Sequence, residues 1–408
     1  MTPPRGSVLI LVQNLPVPFD RRVWQESKAL TQAGYDVHVI CPATKDYSAR
    51  REVLDGVSIY RYPAGAEAHR ASGYLREYGV ALLWMLWLGL RIRVRTRIDV
   101  VHACNPPDLL FLPALPLIAT GAALIYDHHD ACPELMVAKG QPENGLQVRL
   151  TRLVERLTYR VAHVSIETND SYRDIALSRG RMNPEDVFVV RSAPEVTRFA
   201  NAAPDDEWRR GRKRVVAYVG VMGIQDGLDY LIDAAAWIVR AQARDDVQFI
   251  CVGGGPEFDR LRARVRELGL QDFIEFTGRL SDDDLGTVLA TADVCVNPDE
   301  VNRMNDISTM NKTMEYMALS KPMVQFELRE GRVSAGEASL YARPNDAVSL
   351  AELVLQLVDD RERADSMGRL GHERLRRHLS WEVQVPRLLE AYQRALTRRG
   401  ARRRVRSY

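Results

Sequence analysis

Several short stretches of the sequence hold residue types whose spacing allows chemistry. The fullest is Asn302–Leu319. Ser308 or Asp306 can cap a helix there, whose first turn then offers free amides from Thr309, Met310 and Asn311. Lys312 falls just inside that turn, where a cation opposes the helix dipole, so its placement makes physical sense if an anion binds at the same end. Composition also singles it out, because only six of the 56 basic residues are lysines. Glu315 follows on the same helical face, and a plain Lys–Glu pair is the other reading.

The tract Tyr126-Asp127-His128-His129-Asp130 lies just past a strand-like run. A histidine there can hydrogen-bond a polar substrate or take a proton. Adjacent histidines point in different directions and no third ligand sits at metal spacing, so no metal is expected. The loop Asn14–Asp20 leads into Asp20-Arg21-Arg22, a helix start with arginines that suits an anion. Gly253-Gly254-Gly255-Pro256-Glu257 lets a backbone approach a ligand, as do Gly220, Gly223 and Gly227, though neither set forms a dinucleotide fingerprint.

Positioning such residues requires regular elements. Apolar runs at Ser7–Gln13, Asp36–Cys41, Val57–Tyr62, Asp99–Ala103, Ala122–Tyr126, His163–Glu167 and Val187–Val190 alternate with helical stretches, which predicts a parallel sheet covered on both faces. Ala193–Arg212, with Pro194, Pro204 and Gly211, breaks the rhythm as a linker. A second series follows at Val215–Val219, Val247–Val252, Phe273–Phe276, Val294–Asn297 and Met323–Phe326, and the chain ends in helices. The expected layout is α/β with two doubly wound, Rossmann-like domains, residues 1–193 and 213–379. These are joined by a linker at 194–212 and followed by a helix at 380–397 and a basic tail at 398–408. Ligands are then expected beyond the carboxyl ends of the strands.

With 408 residues and a net charge of +2, the chain is too large for one core and too evenly charged for a dedicated nucleic-acid binder. Five scattered cysteines without a CxxC pair fit buried thiols in a reducing cytoplasm. The longest apolar stretch, Val80–Leu90, falls short of the roughly 20 residues a spanning helix needs. It carries Trp84 and Trp87 and runs into Arg91, Arg93, Arg95 and Arg97. With the arginines of Arg398–Arg406 it predicts a peripheral contact with an anionic membrane, the other reading being a buried helix plus a solvated tail.

In order along the chain, Asp20–Glu26, His129-Asp130, Gly253–Glu257 and Met314-Glu315-Tyr316-Met317-Ala318 resemble the motifs of the GT4 family of retaining glycosyltransferases, from about Val8 to Leu396. The resemblance implies the GT-B fold, two domains facing across a cleft, with an N-terminal acceptor side, a C-terminal nucleotide-sugar side and a final helix, Trp381–Leu396, crossing back. It implies transfer of a sugar from a nucleotide-diphosphate sugar to a hydroxyl acceptor, with no cofactor; the basic, tryptophan-bearing surface points to a polysaccharide or lipid-linked saccharide as that acceptor. Glu315 matches the second glutamate of E-x7-E, which binds ribose, while Ile307 stands at the first. The usual diphosphate-gripping Arg and Lys correspond to Val221 and Asp226, so Lys312 is the candidate replacement. The resulting roles are catalytic for His129, Lys312 and Asp306, and donor-binding for Glu315, Ser308, Thr309, Asn311, Gly223, Gly254, Gly255 and Arg279. Arg21, Arg22, Asn105, His128 and Asp130 form the acceptor side. A sugar-nucleotide epimerase and a non-catalytic sugar-nucleotide-binding partner are the rival readings.

Overall fold

The computed structural model describes residues 5–64, 71–194, 196–199 and 201–406. The chain divides into two compact units, Met1–Arg191 with Gln384–Tyr408, and Ser192–Val383.

The first unit is an eight-stranded sheet ordered β3-β4-β2-β1-β5-β6-β7-β8. Its elements are β1 (Ser7–Val12), α1 (Arg21–Gln32), β2 (Asp36–Ala43), β3 (Arg51–Leu54), β4 (Val57–Pro63), α2 (Ala71–Arg95), β5 (Val100–Cys104), α3 (Phe111–Ala119), β6 (Ala123–His128), α4 (Cys132–Ala138), α5 (Leu146–Val161), β7 (Val164–Glu167), α6 (Asp170–Ser178) and β8 (Val187–Val189). β1 lies at the centre, Val8 opposite Val37 on one side and Val100 on the other. Every residue of β1 and β5 is buried, as strands covered on both faces must be. β3 departs from the expected parallel pattern: it pairs antiparallel with β4. Asp55 and Gly56, both at positive φ, close this hairpin, and its charged edge strand lacks the apolar run that marks the others.

On one side of the sheet, α2 supplies Ala81, Met85, Leu88 and Ile92 to a core shared with Ala114 and Leu117 of α3 and Tyr159 of α5. Part of the Val80–Leu90 stretch is therefore core, while Val80, Leu83, Trp87 and Leu90 stay exposed.

The second unit is a six-stranded sheet of order β11-β10-β9-β12-β13-β14, parallel throughout. It comprises β9 (Arg214–Val219), α7 (Leu228–Arg240), β10 (Val247–Val252), α8 (Phe258–Glu267), β11 (Ile274–Gly278), α9 (Asp282–Thr291), β12 (Val294–Asn297), α10 (Arg303–Ile307), α11 (Asn311–Ala318), β13 (Met323–Phe326), α12 (Arg329–Ala335), β14 (Ser339–Ala342), α13 (Ala347–Asp359) and α14 (Arg361–Arg374). One face buries Leu231, Ile232 and Ala235 of α7 with Leu350, Ala351 and Val354 of α13.

The last helix, α15 (Trp381–Arg406), is grouped with the first unit from Gln384 onward. Leu388, Ala391, Tyr392 and Ala395 are fully buried. The expected solvated tail is corrected here. The helix continues through Arg406, Arg398 pairs with Asp186 at 2.8 Å, and Arg399 pairs with Asp99. The rest of the predicted tail contact falls on side chains beyond Arg399, outside the described residues.

Candidate active site

In the first unit, polar residues gather at the carboxyl ends of β5 and β6. Asp20 caps α1 by accepting the Val23 amide at 3.1 Å, which fixes the turn carrying Arg21 and Arg22. Arg22 points inward. Its guanidinium donates to Asp127 Oδ1 at 2.9 Å and to the Val190 carbonyl at 2.9 Å, and lies 3.2 Å from Glu26. Arg22 is therefore not an acceptor-binding cation; its charge is consumed by buried carboxylates, whereas Arg21, one residue earlier, is exposed.

Asp127 is fully buried, and its Oδ2 is 2.6 Å from His129 Nε2 and 3.1 Å from His102 Nε2. Burial works against its charge, but Arg22, His129 and the two histidine hydrogen bonds hold the carboxyl well below its usual range. Neighbouring Glu26 is pushed well upward by burial and by Asp127, so the pair keeps one negative charge against Arg22. Burial lowers His102, whose Nδ1 meets the Tyr392 hydroxyl at 2.6 Å. Glu26, His102, Cys104 and Asp127 are close enough to group around a metal ion. The Arg22 guanidinium already compensates their charge, which makes the cluster an ion-pair network.

His129 is the member of this network with an outward edge, its side chain 17% exposed. Arg22 Nε also approaches Nε2, at 3.1 Å, but the shorter contact is with Asp127. An Nε2–H donating to Asp127 leaves Nδ1 with its lone pair, ready to accept from a hydroxyl. Asn105 was expected on the acceptor side, yet it is buried and supports the backbone. Its Oδ1 accepts the His129 and Asp130 amides at 2.6 and 3.1 Å, and its Nδ2 donates to the Asp130 carbonyl at 2.7 Å. Asp130 sits beside His129, its carboxyl raised by burial.

His128 is a second correction. Alternation along the strand turns it away from His129, into full burial 2.8 Å from Glu167 and 2.9 Å from the Tyr159 hydroxyl. Burial opposes its charge, but Glu167 raises it to about 9, while burial brings Glu167 to about 6. This internal ion pair does not reach the site.

In the second unit the loop after β9 and the loop after β10 interlock. Met222 donates to the Gly254 carbonyl at 3.1 Å, and Glu257 donates to the Met222 carbonyl at 2.9 Å. A Cβ on Gly253 would stand 1.9 Å from the Gly220 carbonyl oxygen, and one on Gly255 would stand 2.6 Å from that of Met222. Gly255 is thus required by the packing of the two loops. Gly254 faces open space, and a Cβ there meets nothing within 4 Å. Gly223 donates its amide to Asp226 at 2.9 Å. Arg279 is exposed immediately after β11. Asn305, buried, ties α10 to the first loop by donating to the Gln225 carbonyl at 2.8 Å.

Lys312 stands in the first turn of α11, and its anion lies within the chain. Nζ is 2.7 Å from Asp299 and 3.8 Å from Asp226, and 4.9 Å from the Tyr218 ring centre. Burial lifts Asp299 to about 6 and raises Asp226 as well. The inference that Lys312 requires an external anion is therefore corrected, as is the alternative Lys312–Glu315 pair: Glu315 pairs with Arg198, which also donates to Asp282 at 3.0 Å. Ser308 does not cap α11. It ends α10 and donates to the Met304 carbonyl at 2.7 Å, while Met310 precedes α11 with no side-chain cap. Asp306 accepts the Arg329 amide at 2.8 Å and so starts α12, instead of standing open to a sugar. Thr309 is half-buried, and Asn311 is exposed at the first position of α11.

His102, Asp299, Arg198 and Tyr392 escaped the sequence reading, and Asp127 and Glu26 lay inside its motifs without a role of their own. A signal existed for Asp127: at a strand end, residues two apart share a face, which pairs it with His129.

Residues 20–193 match the glycosyl transferase 4-like domain, and residues 213–360 match glycosyl transferases group 1. The chain belongs to the GT4 family of glycosyltransferases. This glycosyltransferase is 25% identical over 314 residues to an alpha-D-kanosaminyltransferase of Streptomyces kanamyceticus, covering 71% of this chain and 77% of the relative. It is 25% identical over 392 residues to a glycogen synthase of Mycobacterium tuberculosis, covering 91% and 90%. Among solved structures it resembles sucrose-phosphate synthase from Thermosynechococcus elongatus, with a TM-score of 0.76, 17% identity and coverage of 96% and 100%. It also resembles HepE of Anabaena in complex with UDP and glucose, with a TM-score of 0.72, 15% identity and coverage of 95% and 100%. These neighbours share the GT-B fold with it.

Proposed function

We propose that this glycosyltransferase moves a sugar from a nucleotide-diphosphate sugar to a hydroxyl acceptor, with retention and without metal or cofactor, in polysaccharide or glycoconjugate assembly. Residues 213–379 would form the donor side and residues 1–193, with the helix at 380–397, the acceptor side. A lipid-linked saccharide as acceptor would place the protein peripherally on a cytoplasmic membrane face. The nucleotide and sugar held by the Anabaena neighbour support the donor class.

The observation that carries the reading is the Lys312 ammonium, held in the first turn of α11 with its stem against Gly220 at the end of β9. An ammonium has three donors, and Asp299 takes one at 2.7 Å. Asp226 stands 3.8 Å from the same ammonium, so the donor left over would meet the negative charge that grows as the donor's C1–O bond breaks. In a front-face route, the acceptor oxygen bonds to C1 as the phosphate oxygen departs with the bonding pair, and the acceptor proton passes to that oxygen. His129 then needs only to orient a hydroxyl through Nδ1. Glu315 would receive ribose hydroxyls while sharing its charge with Arg198.

A sugar-nucleotide-binding partner without turnover is the second reading, favoured by the carboxylates already around Lys312. Thermal-shift measurements with UDP, GDP and dTDP, followed by transfer from a labelled donor, separate the two. Saturating nucleotide at about 100 times Kd should stabilise the protein by about 2.7 kcal/mol. Stabilisation with labelled product supports the transferase, stabilisation without product supports the partner, and no stabilisation by any nucleotide overturns both.

A further inference from the structure

Helix α5 buries Val148 and Tyr159 against the core, yet it also carries a second apolar row that the core does not use. Its inward side includes Glu155 and Thr158, with Glu155 fully buried and paired to Arg179. Its outward side carries Leu146, Leu150, Leu153 and Leu157, exposed by 72%, 51%, 50% and 41%. These positions recur at helical spacing and form one row along the helix. Arg149, Arg156 and Arg160, all exposed, flank the row.

Beside it opens a cavity of about 650 Å³ whose lining includes Leu153, Leu157, Arg156, Arg160 and Arg181. Those three arginines have no ion-pair partner among the described residues. The apolar exposure continues on the same side of the sheet, with Leu112 and Leu115 of α3 and Leu83 and Trp87 of α2. Helices α2, α3 and α5 share one core beneath it.

We infer that the α5 face of the first unit docks on an anionic lipid bilayer, its leucines entering the acyl boundary and Arg156, Arg160 and Arg181 receiving a phosphate headgroup in the cavity. The occupant follows from the combination of chemistries. An apolar row flanked by unpaired guanidinium groups complements a surface that is apolar within and negative at its edge. A second protein surface would have to supply both an apolar groove and an acidic rim. This face takes over the contact that the sequence assigned to the terminal arginines, two of which are committed to Asp186 and Asp99. It deepens the peripheral-membrane part of the proposed function without depending on the transfer reaction.

The test is sedimentation of the full chain with vesicles of phosphatidylcholine alone and of an equimolar mixture with phosphatidylglycerol. The protein should bind the anionic vesicles only, and less so as salt rises. The double variant Leu150→Ser, Leu153→Ser should bind on the order of 100-fold more weakly, since both side chains lose their transfer to an apolar phase. Arg156→Gln and Arg160→Gln should each cost about five-fold. Because these side chains lie outside the core, melting temperatures should match the parent, and transfer to a soluble acceptor should be unchanged. Equal binding to neutral vesicles, or undiminished binding by the leucine variant, overturns the inference. So does a parent protein that binds no vesicle and instead forms a dimer that the leucine variant dissolves. Loss of transfer alone bears on the proposed function and leaves the docking surface intact.

Discussion

The two site residues with the strongest chemical character are both held by buried carboxylates, and this decides how substitutions there behave. Lys312 neutralises Asp299, so Lys312→Met leaves a buried carboxyl that must ionise without a partner or take up a proton. Breaking such a pair from one side costs about 3–5 kcal/mol, while removing both charges is far less damaging. The expected result is a marked loss of stability in Lys312→Met and its recovery in Lys312→Met, Asp299→Asn, read from urea midpoints. Both variants should lose nucleotide affinity in calorimetry. Recovery of affinity along with stability would make Lys312 purely structural. The same logic applies at Arg22. Arg22→Met strands Asp127 and Glu26 together and should be the more destabilising, by about 3–5 kcal/mol. Asp127→Asn leaves Glu26 free to ionise against Arg22, and should chiefly reduce transfer, by about 10²-fold, with an altered pH profile because His129 loses its anchor. Equal loss of stability in the two variants would contradict this account. That Lys312 needs an anion was legible in the sequence, because its place in a first helical turn is electrostatically awkward. The resolving anion was not, because Asp299 lies 13 residues earlier in the loop directly after β12, with α10 between them, where no helical spacing pairs it with Lys312.

Elements were the most legible level. Buried parallel strands show as continuous apolar runs, so β1, β2, β9 and β10 could be placed to within a residue or two. What escaped were features without that signal: the charged edge strand β3, and the break between α10 and α11, where Ser308 ends one helix instead of starting the next. The two histidines at the end of β6 show what an element adds. Its alternation sends His129 to the network with an outward edge and His128 inward, onto Glu167. That inward pair has a pH signature. With its folded-state value raised to about 9, His128 contributes stability that is fully present below its unfolded value of about 6.5, and that contribution is lost as pH rises through about 9. Glu167, raised to about 6, contributes stability that is present below its unfolded value and lost as pH rises through about 6. The windows are separate. Melting temperature should therefore fall between pH 7 and pH 9 in the parent, at about constant salt, and fall less in His128→Asn, Glu167→Gln. Identical slopes in the two proteins would show that the pair is not charged as described.

At the scale of the whole chain, the two units differ in how they are cut from the sequence. The second is continuous, Ser192–Val383, whereas the first needs Gln384–Tyr408 to be complete. That last segment is not a loose appendage. Leu388, Ala391, Tyr392 and Ala395 are each fully buried, Arg394 reaches Asp186 at 2.8 Å, and Tyr392 reaches His102 at 2.6 Å. The residues closing this contact are separated by about 200 to 300 positions, so the first unit carries contacts whose loop-closure cost is among the largest the chain can present. A fragment of residues 1–191 would expose the apolar surface that α15 covers and would leave the His102 side of the Asp127 network without its tyrosine. The expected outcome is that residues 192–383 alone unfold in one cooperative transition, whereas residues 1–191 alone do not. Supplying residues 384–406, fused after residue 191 through a long flexible linker, should restore cooperative melting to the first unit. Circular dichroism and calorimetry on the three polypeptides provide the check. A cooperative melt of residues 1–191 without the helix would mean that the four buried side chains of α15 are accommodated by the first unit but not required by it, and that its core is already complete when the preceding 191 residues have been made.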